Sequence, residues 1–272
     1  MKYKFIVSDL DETLLNDEHQ VCQANIDAIH KACSLGVKFI PATGRGYKSI
    51  ESTLKTLGLY KKEHEYVLSL NGCSITHNLD ESSLLFDGLD FETIHKLFEF
   101  GLTKDVCIHI YTKDTVYVYN FNEDERNRFH AQGVSYIELT EPSIEFLKDQ
   151  PIAKILYENL NTDYLESFED DMKCITKDKV TISYSSNRYM EFNKIGVNKG
   201  DAMLKLAEML GVKQEEIIAV GDNYNDLSML SKAGLSVAAG NAVEAVKQQC
   251  DYVCKNTHND GVIAEIMEKF FH

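Results

Sequence analysis

Asp9 and Asp11 stand two residues apart, directly after the apolar run Lys4–Ser8 (KFIVS), in the stretch Asp9-Leu10-Asp11-Glu12-Thr13. Where a buried strand ends in a loop, two such carboxylates can meet in one small site. One can attack phosphorus as a nucleophile while the other carries a proton. An isolated Asp-x-Asp is more often just an acidic loop with a capping Asp, so the pair needs company. Gly221-Asp222-Asn223-Tyr224-Asn225-Asp226 supplies it: carboxylate and amide oxygens between a strand and a helix suit a hard cation such as Mg2+. Alone, that stretch is equally an Asn/Asp-rich turn with a helix cap. Thr43-Gly44-Arg45 sets a hydroxyl beside a Gly-exposed backbone N–H, which can hold a phosphate oxygen, although Thr-Gly is also an ordinary turn. Lys199, in Val197-Asn198-Lys199-Gly200-Asp201, opens a helix and without context is a solvated surface charge.

The four loops need elements to position them. Lys4–Ser8 reads as a buried strand. Apolar residues at helical spacing over Ala24–Cys33, stopped by Gly36, predict a helix, and Val37–Ile40 a second strand. A helix running to about Leu57 and a third strand, Tyr66–Leu70, closed by Asn71-Gly72, follow. Such alternation indicates an open, mainly parallel α/β sheet, in which ligands collect at the carboxyl ends of the strands. The middle of the chain differs. Alternating stretches at Thr115–Tyr119 and Val180–Ser183, with helical ones at Phe91–Phe100 and Thr162–Phe168, predict an antiparallel α+β module inserted into the first domain. The α/β rhythm then returns with helix Lys199–Leu210, strand Glu216–Val220, a helix to about Ser231, strand Leu235–Val237 and helix Ala242–Gln248. The expected division is a core of residues 1–83 and 191–272 and an insert of residues 84–190.

Composition narrows the function. With 272 residues, 44% of them hydrophobic, the chain can bury a substantial core. A formal net charge of −15 disfavours nucleic acid and anionic membranes as partners. An anionic substrate would therefore need positive charge supplied locally. No apolar run approaches the ~20 residues that cross a bilayer, and two acids come too early for a signal peptide, so a cytoplasmic location is expected. Seven cysteines without paired spacing read as small buried hydrophobes; Cys250 and Cys254 have no zinc-type partner set.

Together, DLDETLL at 9–15, PATGR at 41–45, NKGDAM at 198–203 and GDNYNDLSML at 221–230 closely resemble the motifs of the haloacid dehalogenase-like superfamily, in its Cof-type sugar-phosphatase branch. The order matches, the motifs span nearly the whole chain, and the long insert between the second and third is typical of the branch. The resemblance implies a Rossmannoid core with a mainly parallel sheet and an inserted α+β cap. It also implies a Mg2+-dependent phosphatase acting on sugar phosphates, nucleotides or cofactor phosphates such as pyridoxal phosphate.

Residue by residue, the resemblance implies that Asp9 is the nucleophile that becomes phosphorylated. Asp11 protonates the leaving alcohol and then deprotonates the attacking water. Thr43, Lys199, Asn225 and the N–H groups of Leu10 and Gly44 hold phosphate; Asp9, the main-chain carbonyl of Asp11, and Asp222 hold Mg2+. Asp226 supports the site from behind, and Arg45 and Asn71 are candidates to line the entrance. In the cap, Arg126, Arg128, His130 and Arg188 are candidate contacts to a second anionic group, each read by itself as a solvated side chain. Glu12 stands where the commonest pattern has Gly. The expected partner is a small phosphorylated metabolite, with the chain a monomer or weak homo-oligomer. Two alternatives remain at this level: a phosphomutase, and a non-catalytic metabolite sensor, which the presence of Asp9, Asp11, Lys199 and Asp222 disfavours.

Overall fold

The computed structural model describes residues 2–271. Strands β1 (Phe5–Ser8), β2 (Lys38–Pro41), β3 (Tyr66–Ser69), β4 (Ser74–His77) and β5 (Ser83–Phe86) open the chain. The middle contributes β6 (Cys107–Thr112), β7 (Val116–Tyr119), β8 (Tyr136–Leu139), β9 (Ile152–Glu158), β10 (Val180–Ser185) and β11 (Tyr189–Lys194). The last part contributes β12 (Ile217–Gly221), β13 (Leu235–Ala238) and β14 (Tyr252–Val253). The chain forms two units: one holds the residues up to Leu85 and again from Asn198, the other holds Phe86–Val197.

In the first unit five strands form a parallel sheet in the order β14-β13-β12-β1-β2. Runs such as FIVS and IIAVG are apolar throughout because helices cover both faces. Alternate residues go to opposite sides. Ile6, Ile218 and Val220 pack with Ile29 of helix Gln23–Ser34 and Ile263 and Ile266 of helix Val262–Phe270. Phe5, Val7, Ile217 and Ala219 pack with Met203 and Leu206 of helix Lys199–Met209. A parallel bridge between Ala42 and Leu68 carries the alignment from β2 to β3. Because β1, β2 and β12 run the same way, Asp9, Thr43 and Asp222 leave the sheet at one edge.

The second unit is a six-stranded sheet, β10-β11-β9-β6-β7-β8. Ile108, Ile110, Ile155, Tyr157, Met190 and Phe192 face helix Phe91–Gly101, where Leu97 and Phe98 are buried against them. The fold class read from the sequence, a mainly parallel α/β core with an added α+β module, is the one observed. The module is not wholly antiparallel, however. β7 and β8 run parallel, because helix Glu123–Ala131 crosses between them and returns the chain in the same direction. Helix Thr162–Glu166 also ends short of Phe168, whose ring is buried against Phe100 and Tyr164. Among the described residues no helix is long and apolar enough to cross a membrane.

Candidate active site

Asp9 is the first residue beyond β1, and its N–H donates to the Val220 carbonyl at 2.9 Å, so the strand pairing itself fixes where its side chain starts. Lys199 opens helix Lys199–Met209 behind the cap residue Asn198, whose side chain accepts from the Asp201 N–H. Its ammonium, 1% exposed, lies 2.5 Å from Asp9 Oδ1 and 2.7 Å from Asp226 Oδ1. The other oxygen of Asp226 accepts from the N–H groups of Asp222 (3.0 Å) and Asn223 (3.2 Å). Asp222, the first residue after β12, accepts from the Thr13 hydroxyl at 2.7 Å. Two close backbone approaches hold these pieces together. A Cβ at Gly200 would strike the Ser228 carbonyl, and one at Gly72, where φ is +91°, the Asn198 carbonyl.

Burial dominates the electrostatics. It pushes the Asp9 carboxyl well above its ordinary range; Lys199 pulls it back, while Asp226, Asp222 and Asp11 push it up again. Burial raises Asp222 to about 7, against the bond from Thr13. For Lys199 burial favours the neutral amine, but Asp226 and Asp9 outweigh it, so the ammonium is retained. One buried cation thus serves three buried carboxylates.

That excess of negative charge is what a bound metal ion would offset. Carboxylate oxygens of Asp9, Asp222 and Asp226 all lie within 4.8 Å of one another. Two oxygens sharing a hard cation at ~2.0–2.6 Å each stand no farther apart than ~5 Å. The donor set is all oxygen and the surplus charge is negative, so the residues fit a divalent cation.

Asp11, although near enough to act on Asp9, is not part of that cluster. Its carboxylate, partly exposed, is gripped by Arg45: Nε donates to Oδ2 at 2.9 Å, and Nη2 pairs with Oδ1. Thr43 is fully buried; its hydroxyl accepts from the Arg45 N–H (3.0 Å), and its own N–H donates to Leu68 (2.8 Å). Asn71 sits in the left-handed region (φ 56°), donates its N–H to the Thr43 carbonyl and turns its side chain toward Gly44. Asn71 Oδ1 is buried and accepts no hydrogen bond from the protein. Leu10 is buried at the start of the loop, and Asn225 is exposed on the turn Tyr224–Asp226. The structure therefore gathers Asp9, Lys199, Asp222 and Asp226 in one cluster, and Thr43, Gly44, Arg45, Asn71 and Asp11 in a second, linked to the first through residues 9–13.

Of the cap candidates, His130 is exposed, in keeping with its reading as a solvated side chain, while the arginines are engaged by neighbouring groups. Arg126 makes two 2.9 Å bonds to Glu138, and Arg188 pairs with Asp124 (2.6 Å) and Glu125 (3.0 Å). The Arg128 guanidinium stands 5.8 Å from the Tyr189 ring centre, and His130 Nε2 lies 3.4 Å from the Tyr136 hydroxyl. Thr13 and Asn241 were missed by sequence reasoning. Asn241 Nδ2 donates to the Glu12 carbonyl at 2.7 Å. The signal was available for Asn241, which follows a parallel strand at its carboxyl end.

Residues 6–266 match the family model of haloacid dehalogenase-like hydrolases. The chain is 31% identical over 273 residues to YxeH of Bacillus subtilis (strain 168), itself only provisionally named a phosphatase, covering 98% of each chain. It is 27% identical to YcsE of the same organism, named a 5-amino-6-(5-phospho-D-ribitylamino)uracil phosphatase, over 97% of this chain and 94% of that one. A haloacid dehalogenase-like hydrolase from Bacteroides thetaiotaomicron superposes with a TM-score of 0.89 at 28% identity, covering 99% of this chain and 100% of that one. A Thermotoga maritima protein gives 0.85 at 29% identity, covering 99% and 98%. The chain belongs to the haloacid dehalogenase-like hydrolase family and is an enzyme of the phosphoric monoester hydrolase class.

Proposed function

We propose that the chain is a Mg2+-dependent phosphatase that hydrolyses small phosphate monoesters through a phosphorylated Asp9. The observation that carries this reading is the Lys199 ammonium bridging Asp9 and Asp226 inside a cluster of three buried carboxylates. An oxygen of Asp9 attacks phosphorus as the bond to the leaving alcohol breaks, and Asp11 gives that alcohol its proton. Asp11 then takes a proton from water, whose oxygen attacks the same phosphorus; phosphate leaves and the Asp9 carboxylate returns. Lys199, Thr43, Asn225 and the N–H groups of Leu10 and Gly44 hold the phosphoryl oxygens and offset their charge. Asp9, Asp222 and the Asp11 carbonyl would hold the Mg2+. Asp226 is already committed to Lys199 and two N–H groups and stays behind them. When bound, the ion neutralises the repulsion between an anionic phosphate and the carboxylates.

For substrate, the reading is a sugar, polyol, nucleotide or cofactor monophosphate. One relative, YcsE, is named for a ribityl phosphate, which is a phosphorylated polyol. The test is phosphate release from a panel of such esters with Mg2+ and with EDTA. Metal-dependent release that disappears in Asp9→Asn is expected; full activity in that variant would sink the reading.

A further inference from the structure

Glu12 lies between Asp11, assigned above to proton transfer, and Thr13, whose hydroxyl bonds Asp222. Its φ of +57° places it in the left-handed region, where glutamate pays a steric cost that glycine does not. The turn is nevertheless held. Asn241 Nδ2 donates to the Glu12 carbonyl at 2.7 Å, and Asn241 Oδ1 accepts from the His258 N–H at 3.0 Å. Because the oxygen is used by His258, the amide must present its NH2 group to Glu12. Asn241 is itself fixed: the Ala239 N–H donates to Gly221, and the Gly240 N–H to Asn256. Farther along the same loop, the Asp17 carboxylate meets His258 Nε2 (2.8 Å) and Asn259 Nδ2 (3.1 Å). The loop from Glu12 to Asp17 is thus tied at two points, to residue 241 and to residues 258–259.

We infer that Asn241 is a positioning residue: its amide clamps the Glu12 carbonyl and so keeps Asp11 and Thr13 in the register that the reaction needs. This inference rests on the function proposed above for Asp9 and Asp11. It also explains how the chain carries glutamate at a left-handed position. The clamp offsets the backbone cost, so position 12 and position 241 act as one unit.

The test is a double-mutant cycle between Asn241→Ala and Glu12→Gly. With Glu12 present, Asn241→Ala should lower kcat about tenfold with little change in KM, since a small misplacement of a reacting group is enough for such a loss. Glycine occupies the left-handed region unaided, so in the Glu12→Gly background the loss should shrink to about threefold or less. Asn241→Asp keeps the acceptor for His258 but loses the donor, and should be as impaired as the alanine variant. Equal losses in both backgrounds, or an active Asn241→Asp protein, would overturn the inference. The same cycle run on the melting temperature of the metal-free protein needs no turnover. Additive shifts there overturn the coupling, whereas coupled shifts in a protein that releases no phosphate from any ester fault the functional reading instead.

Discussion

Arg45 holds the Asp11 carboxylate with two nitrogens, Nε on Oδ2 at 2.9 Å and Nη2 on Oδ1. The pair sits at the mouth of the site, since Asp11 is partly exposed and the Arg45 N–H is anchored to the Thr43 hydroxyl. In the proposed reaction Asp11 exchanges a proton with substrate only when some of this grip is released, and an incoming phosphate is the natural competitor for a guanidinium. Arg45→Ala should therefore lower kcat/KM by about 10–100-fold, read by steady-state kinetics on the best ester of the panel. Arg45→Lys should recover little, because a point charge cannot reproduce a two-pronged grip.

Lys199→Met should destabilise the fold as well as abolish activity. It strands Asp9 and Asp226 without a cation in a buried site, a change that typically costs about 3–5 kcal/mol. Urea unfolding measures the loss, which should be larger at pH 8 than at pH 5. Burial already holds Asp9 well above its ordinary range, so at lower pH it takes up a proton rather than stay charged and unpaired.

Cation binding should depend on pH through Asp222, raised by burial to about 7 in the metal-free protein. Its proton must leave before the carboxylate can serve a metal, so affinity should rise as pH rises through about 7. Titration calorimetry in buffers of different ionisation heat should detect proton release on binding. The same shift has a stability sign. The folded group binds its proton more tightly than the unfolded one at 3.8, so metal-free stability should fall as pH rises from about 4 through about 7. Saturating Mg2+ should flatten that fall.

The cap should respond in the opposite direction. His109, fully buried on β6, is pulled from 6.5 down to about 3 by burial and then by Lys154. Folding with a neutral imidazole is favoured above pH 6.5 and penalised as pH falls from there toward about 3, because only the unfolded chain takes up the proton. Melting curves of His109→Gln against the parent should converge, or cross, as pH is lowered through this window.

The candidate site was legible because its residues stand at the ends of apolar runs, where strand and loop chemistry can be read locally. Asp9, Thr43 and Asp222 each follow a strand whose run is apolar on both faces. Thr13 was not legible as functional, since its partner lies 209 residues away in sequence, whereas Asn241 stands at the carboxyl end of a strand and only its partner, 229 residues away, was hidden. Helix Glu123–Ala131 escaped notice because EDERNRFHA has a single large apolar residue, Phe129; its other buried side chain is Glu125, satisfied by Arg188 and Tyr189. In β9 the run IAKILYE is buried throughout although it carries Lys154 and Glu158, because Lys154 pairs with Glu191 and Glu158 with Asn122.

Gly72 and Gly200 leave no room for a single added carbon where the loop after β3 and the helix that presents Lys199 meet their neighbours. Any side chain there must push on main-chain atoms, and the displacement would pass directly to the lysine. The candidate site is therefore intolerant of gradual drift at these two positions. A lineage built on this scaffold has to explore new substrates elsewhere in the sequence, where side chains can be exchanged without moving the backbone. Chemistry and selectivity are thus free to evolve at different rates in one polypeptide.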